Sequence, residues 1–344
     1  MKKIKILTID SSPHIRSGAS VDTIMRHVVY ALLPVAAFAI YSFGLAAIAV
    51  LLTAVLSCVV TEHVLAKKFQ QTSTVGDWSA TITGLLYGLT LPAGLPLWMV
   101  FIGGVIGLSL GKFLFGGLGC NVFNPALVAR AFLQAAFPTS LTTWLPAFAD
   151  DRFTTLPSST LTLPFLKPVY DGMSGATPLA AMKFNGQATD ITDLLLGLTG
   201  GSLGETCSVI ILLGGIYLIA RNMMNWRIPI GIFISVIMLS AFFHWLEPDK
   251  YAGPLFMLFS GGLMLGAIFM ATDMVASPIT NLGCFIYGLL MGVLIVVIRY
   301  WSGLPEGVMY AILFMNAVSP HIDHFIQPVV FGKIAGAQKA KQEN

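Results

Sequence analysis

Thr177 closes the run Asp171-Gly172-Met173-Ser174-Gly175-Ala176-Thr177 and is followed by Pro178 and Leu179. Small residues at 172, 174, 175 and 176 leave the backbone open to close approach by another surface, and Pro178 limits Thr177 to extended conformations. The hydroxyl is thereby displayed on an accessible strand-like or turn-like segment, and the chemistry open to it is esterification of an alcohol. Ser, Gly and Pro compose ordinary loop turns just as readily, and by composition alone the turn is the stronger reading.

A second set of residues has chemistry because of where it lies. Arg130 falls near the middle of an apolar run, where a charge is costly enough to imply a role; a structural ion pair or a capped carbonyl is the plain alternative. Asp77 and Asp273 edge short, glycine-broken apolar runs. A cation path needs such acceptors, although Asp77 equally suits the cap of a helix starting at Trp78. Asn121, Asn124 and Pro125 read as a helix start, with Asn at the cap and Pro in the first turn. A half-helix start near the bilayer can also line a flavin or ion site. Glu62 and His63 suit the lipid headgroup region better than a proton relay. His321, Asp323 and His324 read as a solvated helix end, and no metal site is assigned. Cys58, Cys120, Cys207 and Cys284 stand singly, which suggests neither a disulfide framework nor a zinc site. Cys120 and Cys284 each follow Leu-Gly, but an iron–sulfur centre needs four thiolates.

The elements that must position these residues are membrane spans. Of 344 residues, 56% are hydrophobic and only 10% charged, against roughly 25% charged in soluble domains, and mean hydropathy is +0.81. Apolar runs lie near 27–44, 45–65, 78–92, 96–115 and 121–137, then near 202–221, 228–246, 254–272, 283–300 and 307–325. Their lengths match a hydrocarbon layer about 30 Å thick, so the expected fold is all-α and polytopic with about ten transmembrane helices. The start, Met1-Lys-Lys-Ile-Lys, lacks an apolar h-region behind it, since Asp10, Pro13, His14 and Arg16 follow; the first span is expected to direct insertion. Ten crossings put Lys2, Lys3, Lys5, Arg16, Arg26, Lys67, Lys68, Arg221, Arg227, Lys333, Lys339 and Lys341 on one side, which positive-inside logic makes cytoplasmic. Both termini are then cytoplasmic, and the proline-rich stretch from Pro138 to Asp190 is extracytoplasmic. The net charge of +3 gives no support for nucleic-acid binding.

Two stretches look alike. Gly84-Leu-Leu-Tyr-Gly-Leu-Thr-Leu-Pro92 compares with Gly262-Leu-Met-Leu-Gly-Ala-Ile-Phe-Met270, and each precedes a glycine-bearing span that leads to a Gly-Leu turn, Gly117-Leu118 and Gly303-Leu304. Five spans per half is an odd number, so the second copy is expected to be inverted. The organisation that follows is 1–137 for the N-terminal tail and first repeat, 138–190 for the outer loop, 191–325 for the second repeat and 326–344 for a cytoplasmic tail.

Asp-Gly-x-Ser-Gly-Ala-Thr resembles the flavinylation motif at which a flavin transferase attaches FMN through a phosphoester to the final threonine. Asp171, Ser174, Gly175, Ala176 and Thr177 match its positions. An unactivated hydroxyl is a poor nucleophile, so the separate enzyme must supply base and metal. The chain is also similar along nearly its whole length to the D component of the Rnf complex (RnfD), related to the B component of the sodium-pumping NADH:quinone oxidoreductase (NqrB). Ser12-Pro13-His14-Ile15, Gly116-Gly117-Leu118-Gly119-Cys120-Asn121-Val122-Phe123-Asn124-Pro125-Ala126 and Ala271-Thr272-Asp273-Met274-Val275-Ala276-Ser277-Pro278 carry that resemblance.

The resemblance implies a urea-transporter-like fold of two inverted five-helix halves and a place in the bacterial cytoplasmic membrane. It implies an electron-carrying component of an ion-translocating ferredoxin:NAD⁺ oxidoreductase, with FMN on Thr177 and no catalytic residue of its own. The implied partners are the A, B, C, E and G components of Rnf, the flavin transferase and the lipid bilayer. Analogy with the quinone-oxidoreductase relative admits a noncovalent riboflavin, with no residue here marking its pocket. Two rivals are the B component of the quinone enzyme, against which the Ser-Pro-His-Ile opening argues, and a urea-transporter-like solute channel, which needs no flavinylated loop.

Overall fold

The computed structural model describes residues 20–69, 75–164, 166, 168, 176–205, 207–248 and 250–328. Asp171, Ser174 and Gly175 lie outside these, as do the Ser12-Pro13-His14-Ile15 opening and most of the 326–344 tail. Among the described residues the structure is helical throughout, with no strand.

Each apolar run holds a helix. In chain order these are α1 (Val21–Phe43), α2 (Leu45–Lys68), α3 (Ser79–Leu89), α4 (Leu97–Gly111) and α5 (Pro125–Ala136). The intervening segment contributes the short α6 (Pro138–Leu141), α7 (Pro178–Asn185) and α8 (Ile191–Leu196). Then come α9 (Ser208–Ala220), α10 (Arg227–Leu246), α11 (Pro254–Phe259), α12 (Leu263–Leu265), α13 (Asn281–Trp301) and α14 (Val308–Phe325). A π turn over Gly266–Met270 continues α12. Five helical stretches are long and apolar enough to cross a membrane: Val21–Phe43, Leu45–Lys68, Leu97–Phe115, Arg227–Leu246 and Asn281–Trp301.

The start and end signals are local. Ser20 Oγ caps α1 by accepting from Thr23 N–H. The helix α3 starts one residue later than expected, with Trp78 at its N-cap, and Asp77, one position before, accepts from Ser79 N–H at 2.8 Å. Gly44 joins α1 to α2 with φ of +64°, and a Cβ there would come within 1.9 Å of the Arg152 carbonyl. That carbonyl accepts from Leu45 N–H and the Ser42 carbonyl accepts from Phe148 N–H. The α1–α2 turn is therefore pressed against the segment that follows α6, while Lys67 and Lys68 lie at the far end of α2.

Small residues let the helices approach. On α13 a Cβ at Gly288 would meet the Ile228 carbonyl of α10 at 2.4 Å, and one at Gly292 would meet Ser235 Oγ at 1.9 Å. The same contact recurs between α4 and α2, where a Cβ at Gly104 would meet Ser57 Oγ at 2.0 Å. Lipid is as apolar as a leucine side chain, so such close packing is what holds helices together in a membrane. Gly288→Leu is expected to lower stability by at least about 1–3 kcal/mol, because backbone rather than a movable side chain blocks the added atoms. Gly253, with no atom within 4 Å of its Cβ direction, is the control: Gly253→Ala should stay within about 0.5 kcal/mol. Thermal melts of the detergent-solubilised variants followed by circular dichroism measure both.

Candidate functional site

Thr177 is the N-cap of α7. Its backbone is extended (φ −65°, ψ 153°), Pro178 occupies the first helical position, and Oγ1 accepts from Ala180 N–H at 3.3 Å. The residue is 7% exposed, less accessible than its small neighbours imply, and it lines a cavity of about 370 Å³. Ala176, Leu179, Ala180 and Phe184 contribute the α7 wall; Leu141, Thr142 and Trp144 come from α6 and the segment after it; Arg130 and Gln134 come from α5. Glu205 and the turn from Gly303 to Glu306, with Met309 and Tyr310 of α14, close the far side. An apolar box with a few polar groups is the usual composition of a small-molecule site.

Arg130, Glu205 and Glu306 line this cavity, and Arg299 and Lys183 bond to groups of its lining. Arg299 of α13 is 3% exposed; it donates to the Met257 and Ser260 carbonyls, and its Nη2 lies 3.6 Å from Glu306 Oε1. Glu306 Oε1 also accepts from Gly262 N–H at 3.1 Å. Glu205 Oε2 accepts from Ser202 N–H at 3.4 Å, and its buried carboxyl lies against that of Glu306. Lys183 of α7 donates to the Arg299, Ser302 and Leu304 carbonyls at 2.7, 2.5 and 3.0 Å, fastening the Thr177 helix to the end of α13. Burial among these carbonyls lowers the pKa of its ammonium. Arg130 has neither of the bonds its sequence position suggested: among the described residues it forms no ion pair and caps no carbonyl.

A model of the NQR2, RnfD, RnfE family matches residues 8–332. The chain belongs to that family. Its relatives include the D component of the proton-translocating ferredoxin:NAD⁺ oxidoreductase complex of Clostridium ljungdahlii, 40% identical over 340 residues, 96% of this chain and 97% of the relative. The D component of the Na⁺-translocating ferredoxin:NAD⁺ oxidoreductase complex of Acetobacterium woodii is likewise 40% identical over 339 residues, 97% of this chain and 98% of the relative. A third relative, the D component of the ion-translocating oxidoreductase complex of Stutzerimonas stutzeri, is 40% identical over 335 residues, 92% of this chain and 94% of the relative. This member of the NQR2, RnfD, RnfE family is a multi-pass membrane protein.

Two further polar centres of this family member lie away from Thr177. In one, Asn124 caps α5 by accepting from Ala126 N–H, as its place before Pro125 suggested, and its Nδ2 donates to the Met270 carbonyl at 3.2 Å. Asn121 does not cap; its Nδ2 donates to Asp273 Oδ2 at 3.2 Å, while Asp273 Oδ1 accepts from Val275 N–H. The Tyr287 hydroxyl lies 2.7 Å from the Asn316 amide in the same region, and the Asn316 amide oxygen also accepts from Asn124 N–H at 3.1 Å. In the other, Lys112 Nζ donates to Glu62 Oε1 at 2.6 Å and to Ser79 Oγ at 2.8 Å. Glu62 is 0% exposed, which corrects its assignment to the headgroups: α3 and α4 pack over the Lys68 end of α2, and Lys112 supplies the counter-charge. Cys284 Sγ donates to the Pro278 carbonyl, whereas Cys120 is exposed. Asp323 accepts from Ile279 N–H and His324 packs on Phe325. Among the described residues no three or more His, Cys, Asp or Glu side chains are grouped to hold a metal.

Sequence reasoning passed over Glu205, Arg299, Glu306, Lys112 and the anchoring part played by Lys183. The cost of charge at membrane depth, which singled out Arg130, applies equally to Lys112 and Arg299 and was the available signal.

Proposed function

We propose that this chain is the D component of an ion-translocating ferredoxin:NAD⁺ oxidoreductase, a membrane flavoprotein that carries electrons on FMN esterified to Thr177 and takes part in moving Na⁺ or H⁺. The reading is carried by one conjunction: likeness to such components along nearly the full length, in a chain whose motif threonine lines a cavity. It is one part of a larger enzyme and is not catalytic alone. Its partners in this reading are the A, B, C, E and G components of Rnf and the flavin transferase.

The residues present fit a phosphoester at this position. Thr177 caps α7; Pro178 has no N–H and the Ala180 and Ala181 N–H groups bond to Thr177, so the Leu179 N–H and the partial positive charge of the helix start are what an anion there would meet. FMN, when bound, supplies reversible electron uptake, and the protein's share is to hold and tune it. Lys183 fixes the helix that carries Thr177, Trp144 and Phe184 offer aromatic walls, and Arg130 offers a cation.

In the same reading the chain crosses the bacterial cytoplasmic membrane ten times as two inverted halves, with α1–α5 in one and α9–α14 in the other. The matching Ser57–Gly104 and Ser235–Gly292 contacts support this, as do the short α3 in one half and the π-broken stretch 263–270 in the other. The 138–190 loop lies outside and both termini inside, an arrangement favoured by the placement of the α1–α2 turn against residues 148–152, opposite Lys67 and Lys68.

Mass spectrometry of the peptide spanning residues 171–183, released from native membranes, is expected to find the FMN adduct on Thr177. An unmodified peptide there overturns the flavoprotein assignment.

A further inference from the structure

The charges at and behind the Thr177 cavity are those of Arg130, Glu205, Glu306 and Arg299, and all but Arg130 are engaged. Arg299 donates to the Met257 and Ser260 carbonyls and pairs with Glu306. Glu306 accepts from Gly262 N–H, and Glu205 accepts from Ser202 N–H with its carboxyl against that of Glu306. Arg130 is left over. The residue is 9% exposed, yet it forms no hydrogen bond or ion pair with a described residue, and Glu205 acts on it only through space. A buried cation is costly unless an anion meets it, and such a group in a membrane protein marks a site.

The start of α7 lacks an acceptor in the same place. With Pro178 carrying no N–H and the next two N–H groups of the turn taken by Thr177, Leu179 N–H is a donor without a partner among the described residues. Leu179, Thr177 and Arg130 all line the one cavity, and Gln134 adds an amide one turn along α5 from Arg130. A guanidinium fork and a helix-start N–H, with both carboxyls committed elsewhere, are donors of the kind that hold a phosphate.

We propose that Arg130, with the Leu179 N–H, binds the phosphate of the flavin nucleotide carried by Thr177, so that the cavity tells a phosphorylated flavin from an unphosphorylated one before any ester exists. The inference rests on the flavoprotein reading above. Arg130 is a binding residue here: it stays protonated, and it makes and breaks no covalent bond. A phosphodiester on Thr177 keeps one negative charge, which compensates the guanidinium in the finished protein as the free nucleotide does earlier.

The test uses the full chain made without a flavin transferase and solubilised in detergent, with FMN and riboflavin as probes in equilibrium dialysis. Uptake is counted where the flavinylated parent, its cavity filled, shows none. The unmodified chain is expected to bind FMN at least about tenfold more tightly than riboflavin, the scale of a charge-assisted hydrogen bond. Arg130→Met strands no bonded partner, and its preference should fall to about twofold or less while riboflavin affinity stays in place. Arg130→Lys, which keeps the charge and loses the fork, should fall between the two. Arg152, an outer arginine stacked over Tyr41, Phe148 and Phe153, is the control for long-range charge, and Arg152→Gln should keep the parent preference. Equal affinity of the unmodified chain for the two flavins, or no uptake of FMN, overturns the proposal whatever the variants do. So does a preference retained in Arg130→Met or lost in Arg152→Gln, and if Arg130→Met fails to accumulate, a full parent preference in Arg130→Lys overturns it. In-gel fluorescence of the parent co-expressed with the transferase reports on the flavoprotein reading separately: a dark band there sinks that reading, while the FMN preference of the unmodified chain stands or falls by dialysis.

Discussion

Thr177→Val is expected to remove all flavin fluorescence from the protein band on a denaturing gel while the protein still inserts and folds. Valine reproduces the shape of threonine and lacks only the oxygen that accepts an ester. The structural loss is the cap: Oγ1 no longer accepts from Ala180 N–H, at about 1 kcal/mol. The rest of the anchorage of α7 is untouched, because Lys183 still donates to three carbonyls at the end of α13 and Pro178 and Leu179 remain buried. Loss of fluorescence with an unchanged circular dichroism spectrum is thus a chemical result rather than a folding one. Fluorescence retained in this variant would move the attachment to another residue.

The second large effect belongs to the ion pair between α2 and the end of α4. Lys112→Met removes the ammonium 2.6 Å from Glu62 and leaves a carboxylate that is 0% exposed without its counter-charge. Breaking a buried pair on one side costs about 3–5 kcal/mol, whereas replacing both members by apolar residues of similar size is often neutral or better. Lys112→Met should therefore accumulate poorly and melt early, and Lys112→Met with Glu62→Leu should regain most of the loss. A double-mutant cycle on melting of the purified protein reads the coupling directly. Equal damage from the single and the double replacement would mean that the pair is not what secures this end of the bundle.

Much of the helical layout could be read from the chain because its causes are local. The run 45–65 became α2 at Leu45–Lys68 and the run 283–300 became α13 at Asn281–Trp301, since uninterrupted apolar length and helix-forming backbone act together in lipid. Asn124 capped where it stood, because a cap needs only its next few residues. The polar centres were less legible. Glu62 resembles a headgroup residue until the end of α4 brings Lys112 to it from 50 positions along the chain. Arg130, Glu205 and Glu306 line one cavity, with Arg299 paired to Glu306 behind it, only through the packing of α5 against the second set of helices, and no spacing in the sequence announces that meeting. Thr177 could be singled out because its motif is contiguous, but nothing in that motif announced the cavity it lines.

The three-pronged grip of Lys183 on the end of α13 has a bearing on how charge travels through an assembly. A carrier on a slack tether can swing between donor and acceptor, as lipoyl arms do. The short helix bearing Thr177 has no such slack on its C-terminal side. If Thr177 carries the flavin proposed for it, that carrier is a stationary relay, and any large excursion needed to bridge the gap belongs to a neighbouring protein of the complex.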